Sequence, residues 1–218
     1  MTTIVENDES ISFTQRFGRF LLPLGMVAIM WIIQLFNIGG WMNRSLGLVS
    51  RDVGSLWNIF TFPFVHAGWW HISANSVPLL VLGCIVAMSG SRAFIQATAL
   101  IITMGGALLW LFGPSNTLTV GASGLIFGYM TYLIARAIFY PSSFKKIWYI
   151  AVAIGVGFFY SATFFTGVIP HVGSGISWQA HLFGAVAGVI TAWIMGNFAE
   201  IGKEHESSTD ELQDLTKV

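Results

Sequence analysis

Acidic residues are missing from the middle of this chain. Its ten carboxylates are Glu6, Asp8, Glu9 and Asp52, then Glu200, Glu204, Glu206, Asp210, Glu211 and Asp214, with nothing acidic between Asp52 and Glu200. Charge of either sign is scarce: 9% of the 218 residues, against about 25% in a typical soluble domain. Cysteine is nearly absent too. The lone Cys84 cannot form an intrachain disulfide and belongs to no CxxC or Cys/His pattern, so it reads as a small packed hydrophobe. Net charge is zero, which leaves no basic patch for nucleic acid. There is no HExxH for a metalloprotease and no pair of core aspartates for an intramembrane aspartyl protease. The charges that a transporter or channel would carry at mid-depth on several helices are also missing.

What is there is apolar. Hydrophobic residues make up 55% of the chain and its mean hydropathy is +0.71, values that point to an all-α integral membrane protein. Six apolar runs, at 20–38, 71–88, 94–112, 120–140, 147–168 and 180–198, each approach the roughly 20 residues needed to cross the hydrocarbon. They define a membrane domain over 19–198, flanked by polar tails at 1–18 and 199–218. The first tail carries acids and lacks a small-residue cleavage site, unlike a signal peptide. With the N-terminus inside, Arg16, Arg19, Arg92, Arg136, Lys145, Lys146, Lys203 and Lys217 fall inside and only Arg44 and Arg51 outside. That bias makes both termini cytoplasmic, with the second, fourth and sixth runs descending from the outer side; the compact form with short tails suggests a plasma (inner) membrane. The first connection, from 39 to about 70, is rich in Trp, Phe, Leu and Val but broken by Asn, Arg, Gly and Pro. It is expected to lie partly in the membrane interface rather than to span. The connection at 167–177 holds Gly167, Pro170, Gly173 and Gly175, as a mobile lid or a plain flexible turn would.

Three of the few polar groups in the core share a depth. His71 begins the second run, Ser123 lies near the start of the fourth and His181 begins the sixth; these runs descend together, so their starts form one layer near the outer surface. Asn75, four residues after His71, shares its helix face. Gly121, Gly124 and Gly128 on the fourth run, and Ala180, Gly184 and Gly188 on the sixth, are small faces that let two helix backbones close up. That approach would bring His181 to Ser123, the pairing that activates a hydroxyl as a nucleophile. Ser123 in a first helical turn would have free backbone N–H groups around it, and His71 and Asn75 would add side-chain donors for an oxyanion. With no core carboxylate, a Ser-His-Asp triad is excluded and a Ser–His dyad remains, its imidazole held by packing. Each part has a plainer reading: Ser123 and the glycines as packing residues, His71 and His181 as structural hydrogen-bonders. The joint placement favours chemistry. His66 reads as structural, and His171 and His205 as exposed.

At these residues the chain resembles the rhomboid family of intramembrane serine proteases. The GxSG of that family is Gly121-Ala122-Ser123-Gly124; its AHxxGxxxG is Ala180-His181 with Gly184 and Gly188; its HxxxxHxxxN is His66, His71 and Asn75. The resemblance implies a six-helix rhomboid-like bundle with a partly membrane-embedded first loop. It implies Ser123 as nucleophile, His181 as general base and acid, and His71, Asn75 and the Ser123 N–H as oxyanion donors. Phe127, one turn after the serine, suits an aromatic that stacks on the histidine. No cofactor or metal is implied, and the expected partners are transmembrane protein substrates and the bilayer. A catalytically silent relative that binds transmembrane helices is the alternative. Two positions depart from the family: its Trp-Arg pair is Trp57-Asn58 here, and a glutamate near the end of the second run is replaced around Ala87.

Overall fold

In a computed structural model, which describes residues 17–140, 144–169 and 177–215, all six apolar runs are helical. They become α1 (Leu21–Phe36), α3 (Trp69–Ala87), α4 (Ser91–Phe112), α5 (Ser123–Phe139), α6 (Phe144–Val168) and α7 (Trp178–Leu215). The expected N-terminal tail falls almost wholly outside the described residues, as do positions 170–176 of the glycine-rich connection, His171 included.

Four of these helices are long and apolar enough to cross a membrane: Trp69–Ala87, Ser91–Phe112, Lys146–Val168 and Trp178–Asn197. A fifth crossing arises only if α1 is joined to the bent segment that follows it, at an angle of 85°. The other two runs are cut short for local reasons. α1 stops at Asn37, where Gly39 and Gly40 take positive φ. α5 starts only at Ser123 because Leu118–Thr119 enters extended and Gly121 turns at φ +113°.

α5 is the hub. Nearly every residue of its first two turns is buried, and Leu133, Ala135 and Arg136 continue the pattern, as expected for a helix apolar on all sides. Its tightest neighbour is α7. A Cβ added at Gly184 would collide with the carbonyl of Gly124, and one at Gly188 with that of Gly128, so the two backbones touch directly. Thr131 Oγ1 donates across the seam to the Ala185 carbonyl at 2.7 Å. Gly184→Ala is therefore expected to push α5 from α7 and destabilise the fold by about 1–3 kcal/mol, read as a lower melting temperature in detergent; an unchanged melting temperature would contradict backbone contact here. At the far end of α5, Arg136 is buried with its guanidinium 4.3 Å from the ring of Tyr140 and 5.0 Å from that of Tyr149. In a core without carboxylates, aromatic faces surround this cation.

The first connection is folded, not slack. After a 3-10 turn at Ile38–Gly40 it forms α2 (Trp41–Leu46), a two-residue strand β1 (Leu48–Val49) and 3-10 turns at Val53–Phe60 and Phe62–Phe64. β1 pairs antiparallel with β2 (Leu118–Thr119), Leu48 opposite Thr119, and so grips the entry to α5. Asn58, where the family carries arginine, donates to the Ser45 and Gly47 carbonyls at 3.1 and 2.7 Å; the amide bridges two backbone acceptors of the same connection. Ala87, the second departure, is fully buried in the core. Trp110 Nε1 and Arg51 Nη2 tie the connection to the end of α4, through the Asp52 and Gly113 carbonyls at 2.8 and 2.9 Å.

Candidate functional site

Ser123 is the first residue of α5, and its neighbour N–H groups in that turn have no partner within the helix. The approach of α7 that the glycines permit brings His181 Nε2 to 2.9 Å from Ser123 Oγ. The ring stacks face to face on Phe127, with centroids 4.2 Å apart and planes within 5°. Phe127 in turn stacks on Phe164 of α6 at 5.7 Å. The ring's other nitrogen, Nδ1, lies 2.9 Å from the Gly167 carbonyl. A carbonyl can only accept, so Nδ1 holds the proton and Nε2 is left as the acceptor for the Ser123 hydroxyl. His181 is buried while Ser123 stays partly exposed, which leaves the hydroxyl reachable.

His71 and Asn75 converge from α3 on the residue two before the serine. A Cβ at Gly121 would sit 2.7 Å from His71 Nε2 and 3.4 Å from Asn75 Nδ2, so glycine keeps the space before both nitrogens open. The Ala67 N–H donates to His71 Nδ1 over a long 3.5 Å, which puts the imidazole proton on Nε2, facing that space. Asn75 Nδ2 is buried with no hydrogen-bond partner, a donor whose desolvation is uncompensated in the resting protein. The sum is a hydroxyl beside a base, with two side-chain donors and a helix N-terminus alongside: an arrangement able to attack a carbonyl and receive the negative charge that follows.

His66 stands behind these groups. Fully buried, it accepts from the Ala122 N–H through Nε2 at 3.4 Å and meets the His71 ring edge-on at 5.0 Å. Burial, and then the neighbouring His71, push its pKa down to about 3, so it stays the neutral acceptor that holds the turn before Ser123. With the Gly121 N–H on the Phe62 carbonyl at 2.9 Å, the serine turn is pinned from the first connection and from His66.

Every residue expected at the site from sequence thus lies in or against this cluster: Ser123, His181, His71, Asn75 and Phe127, with Gly121, Gly124, Gly128, Gly184 and Gly188 at the close approaches. Sequence reasoning missed the contribution of α6. Gly167, where the fifth run and the glycine-rich connection overlap, belongs to the last helical turn, and Phe164 precedes it by three residues on the same face. Nothing in their spacing distinguishes them from ordinary lipid-facing or packing residues.

The Rhomboid domain family matches residues 53–198. An uncharacterized protein of Mycobacterium tuberculosis is 36% identical over 180 residues, which cover 79% of this chain and 73% of that protein. The chloroplastic Rhomboid-like protein 11 of Arabidopsis thaliana is 28% identical over 199 residues, 82% of this chain and 69% of its own length.

Proposed function

The chain belongs to the rhomboid family, and from that premise we propose that it is an intramembrane serine endopeptidase that cleaves the transmembrane segments of other membrane proteins. The observation that supports this best is the Ser123–His181 hydrogen bond at 2.9 Å with the His181 tautomer set for proton acceptance. As Ser123 Oγ adds to the scissile carbonyl carbon, its proton passes to His181 Nε2 and the carbonyl π pair moves to oxygen. That oxyanion accepts from His71 Nε2–H, Asn75 Nδ2–H and the Ser123 backbone N–H. Collapse re-forms the carbonyl and expels the amine, which takes the proton from Nε2. Water then attacks the acyl-serine, giving its proton to Nε2; the carboxyl product leaves and Ser123 regains its hydrogen. The chemistry uses no cofactor.

In this reading α1 and α5 also cross the membrane, completing six spans, although at 16 and 17 residues they rise only about 24–26 Å. The shortness of α5 has a use: the serine turn starts below the surface, within reach of water from the outer side. The first connection lies in the interface, where its exposed Trp41, Val53 and Trp57 meet lipid headgroups and acyl chains rather than water. Both termini are cytoplasmic by the distribution of Lys and Arg. Substrates are helices that unwind readily near the outer face, with Gly, Pro or polar residues there, because a carbonyl inside an intact helix is hydrogen-bonded and shielded.

A serine-directed fluorophosphonate tests the reading. The purified protein is expected to be labelled at Ser123, located by mass spectrometry of the peptide. A folded protein that binds a transmembrane helix but is not labelled there would instead be the catalytically silent relative.

A further inference from the structure

α6 ends where the site begins. The last turn of a helix presents carbonyls that have no intrahelical N–H and carries the negative end of the helix dipole. In α6 one of these carbonyls, that of Gly167, takes the His181 Nδ1–H at 2.9 Å. The same turn sends Phe164 onto Phe127, which stacks on His181, so carbonyl and ring stack hold the imidazole along its edge and its face together. The approach requires glycine: a Cβ at 167 would collide with the Phe127 ring and sit 3.1 Å from His181 Nδ1. The chain has no carboxylate between Asp52 and Glu200, and a base that becomes imidazolium in a buried site needs a hydrogen-bond acceptor on Nδ1.

We propose that the C-terminal turn of α6, acting through the Gly167 carbonyl, stands in for the missing acid. It fixes the His181 tautomer, aims Nε2 at Ser123 and stabilises the imidazolium formed during attack. Gly167 is thus a positioning residue; it touches no reacting atom. The inference rests on the proposed serine chemistry, and its test separates the two.

The acceptor is a backbone group, so the test is a backbone change in the full-length protein. Replacing Val168 by the corresponding α-hydroxy acid turns the 167–168 amide into an ester, whose carbonyl is a weaker acceptor. An ester one bond earlier, with glycolic acid at 167, is the control: it also removes a helical N–H but weakens the Thr166 carbonyl instead. The 168 ester is expected to lower kcat by about tenfold, the scale of weakening a hydrogen bond to a charged group, at unchanged KM, while the control does not. In parallel, 15N spectra of histidine-labelled protein are expected to show His181 protonated on Nδ1 in the parent and in the control, and shifted towards Nε2–H by the 168 ester. A parent that is protonated on Nε2, or two esters with the same effect, would overturn the proposal. If the parent neither cleaves nor is labelled at Ser123, the protease reading fails on its own, and the tautomer in the three proteins still decides the Gly167 contact.

Discussion

Replacement of Ser123 by Ala is expected to lower the cleavage rate of a model transmembrane substrate by about 10⁴-fold or more while leaving the protein folded. The serine opens α5 and is partly exposed. Ala removes one oxygen and one hydrogen bond to His181 without opening a cavity, so the melting temperature should hardly move. His181→Ala should cost a comparable factor in rate, since a serine without its base is a poor nucleophile at neutral pH. That variant also loses the stack on Phe127, so its melting temperature is expected to fall. The double variant should be no slower than the worse single one, because groups that act as a unit do not contribute additively. Ser123→Ala protein that keeps most of its activity would end the assignment, and two effects that multiply would show that the residues work independently.

Asn75→Ala is expected to reduce kcat by about 10²–10³-fold, the usual scale for removal of one oxyanion donor, with little change in KM. Its expected effect on stability separates this role from a structural one. Asn75 Nδ2 is buried and unpaired in the resting protein, so its removal relieves a desolvation penalty, offsetting part of what the lost side-chain volume costs. A residue kept for packing would behave the other way, with a large fall in melting temperature and little change in kcat. Leucine at the same position keeps more of the volume. It should be at least as stable as the parent and as slow as the alanine variant. Normal turnover by both variants would remove Asn75 from the proposed oxyanion site.

Legibility differed sharply between parts of the molecule. Helices were readable because a bilayer tolerates no unpaired backbone, so a long apolar run has few options besides a helix. The ends of α1 and α5 were not, because they depend on backbone turns at Gly39, Gly40 and Gly121 and on a strand pair between residues seventy positions apart in sequence. The first connection is the extreme case. Asn58 looks like a loss when set beside the family arginine, yet in the fold its amide bonds two carbonyls of the same connection, a solution no local pattern announces.

The sequence by itself determined the chemistry that is available. One serine among small residues, histidines at the starts of two other runs, and glycines spaced one turn apart are properties of residue type and spacing. So is the absence of any core carboxylate, which removes the triad. Only the tertiary structure decided how the His181 imidazole is held. The imidazole was expected to rest on packing alone, but α6 brings the Gly167 carbonyl to Nδ1 and Phe164 to the back of Phe127. A backbone carbonyl is carried by every residue and leaves no mark in sequence. Its availability comes from the helix ending there, and its position from the packing of α6 against α5 and α7.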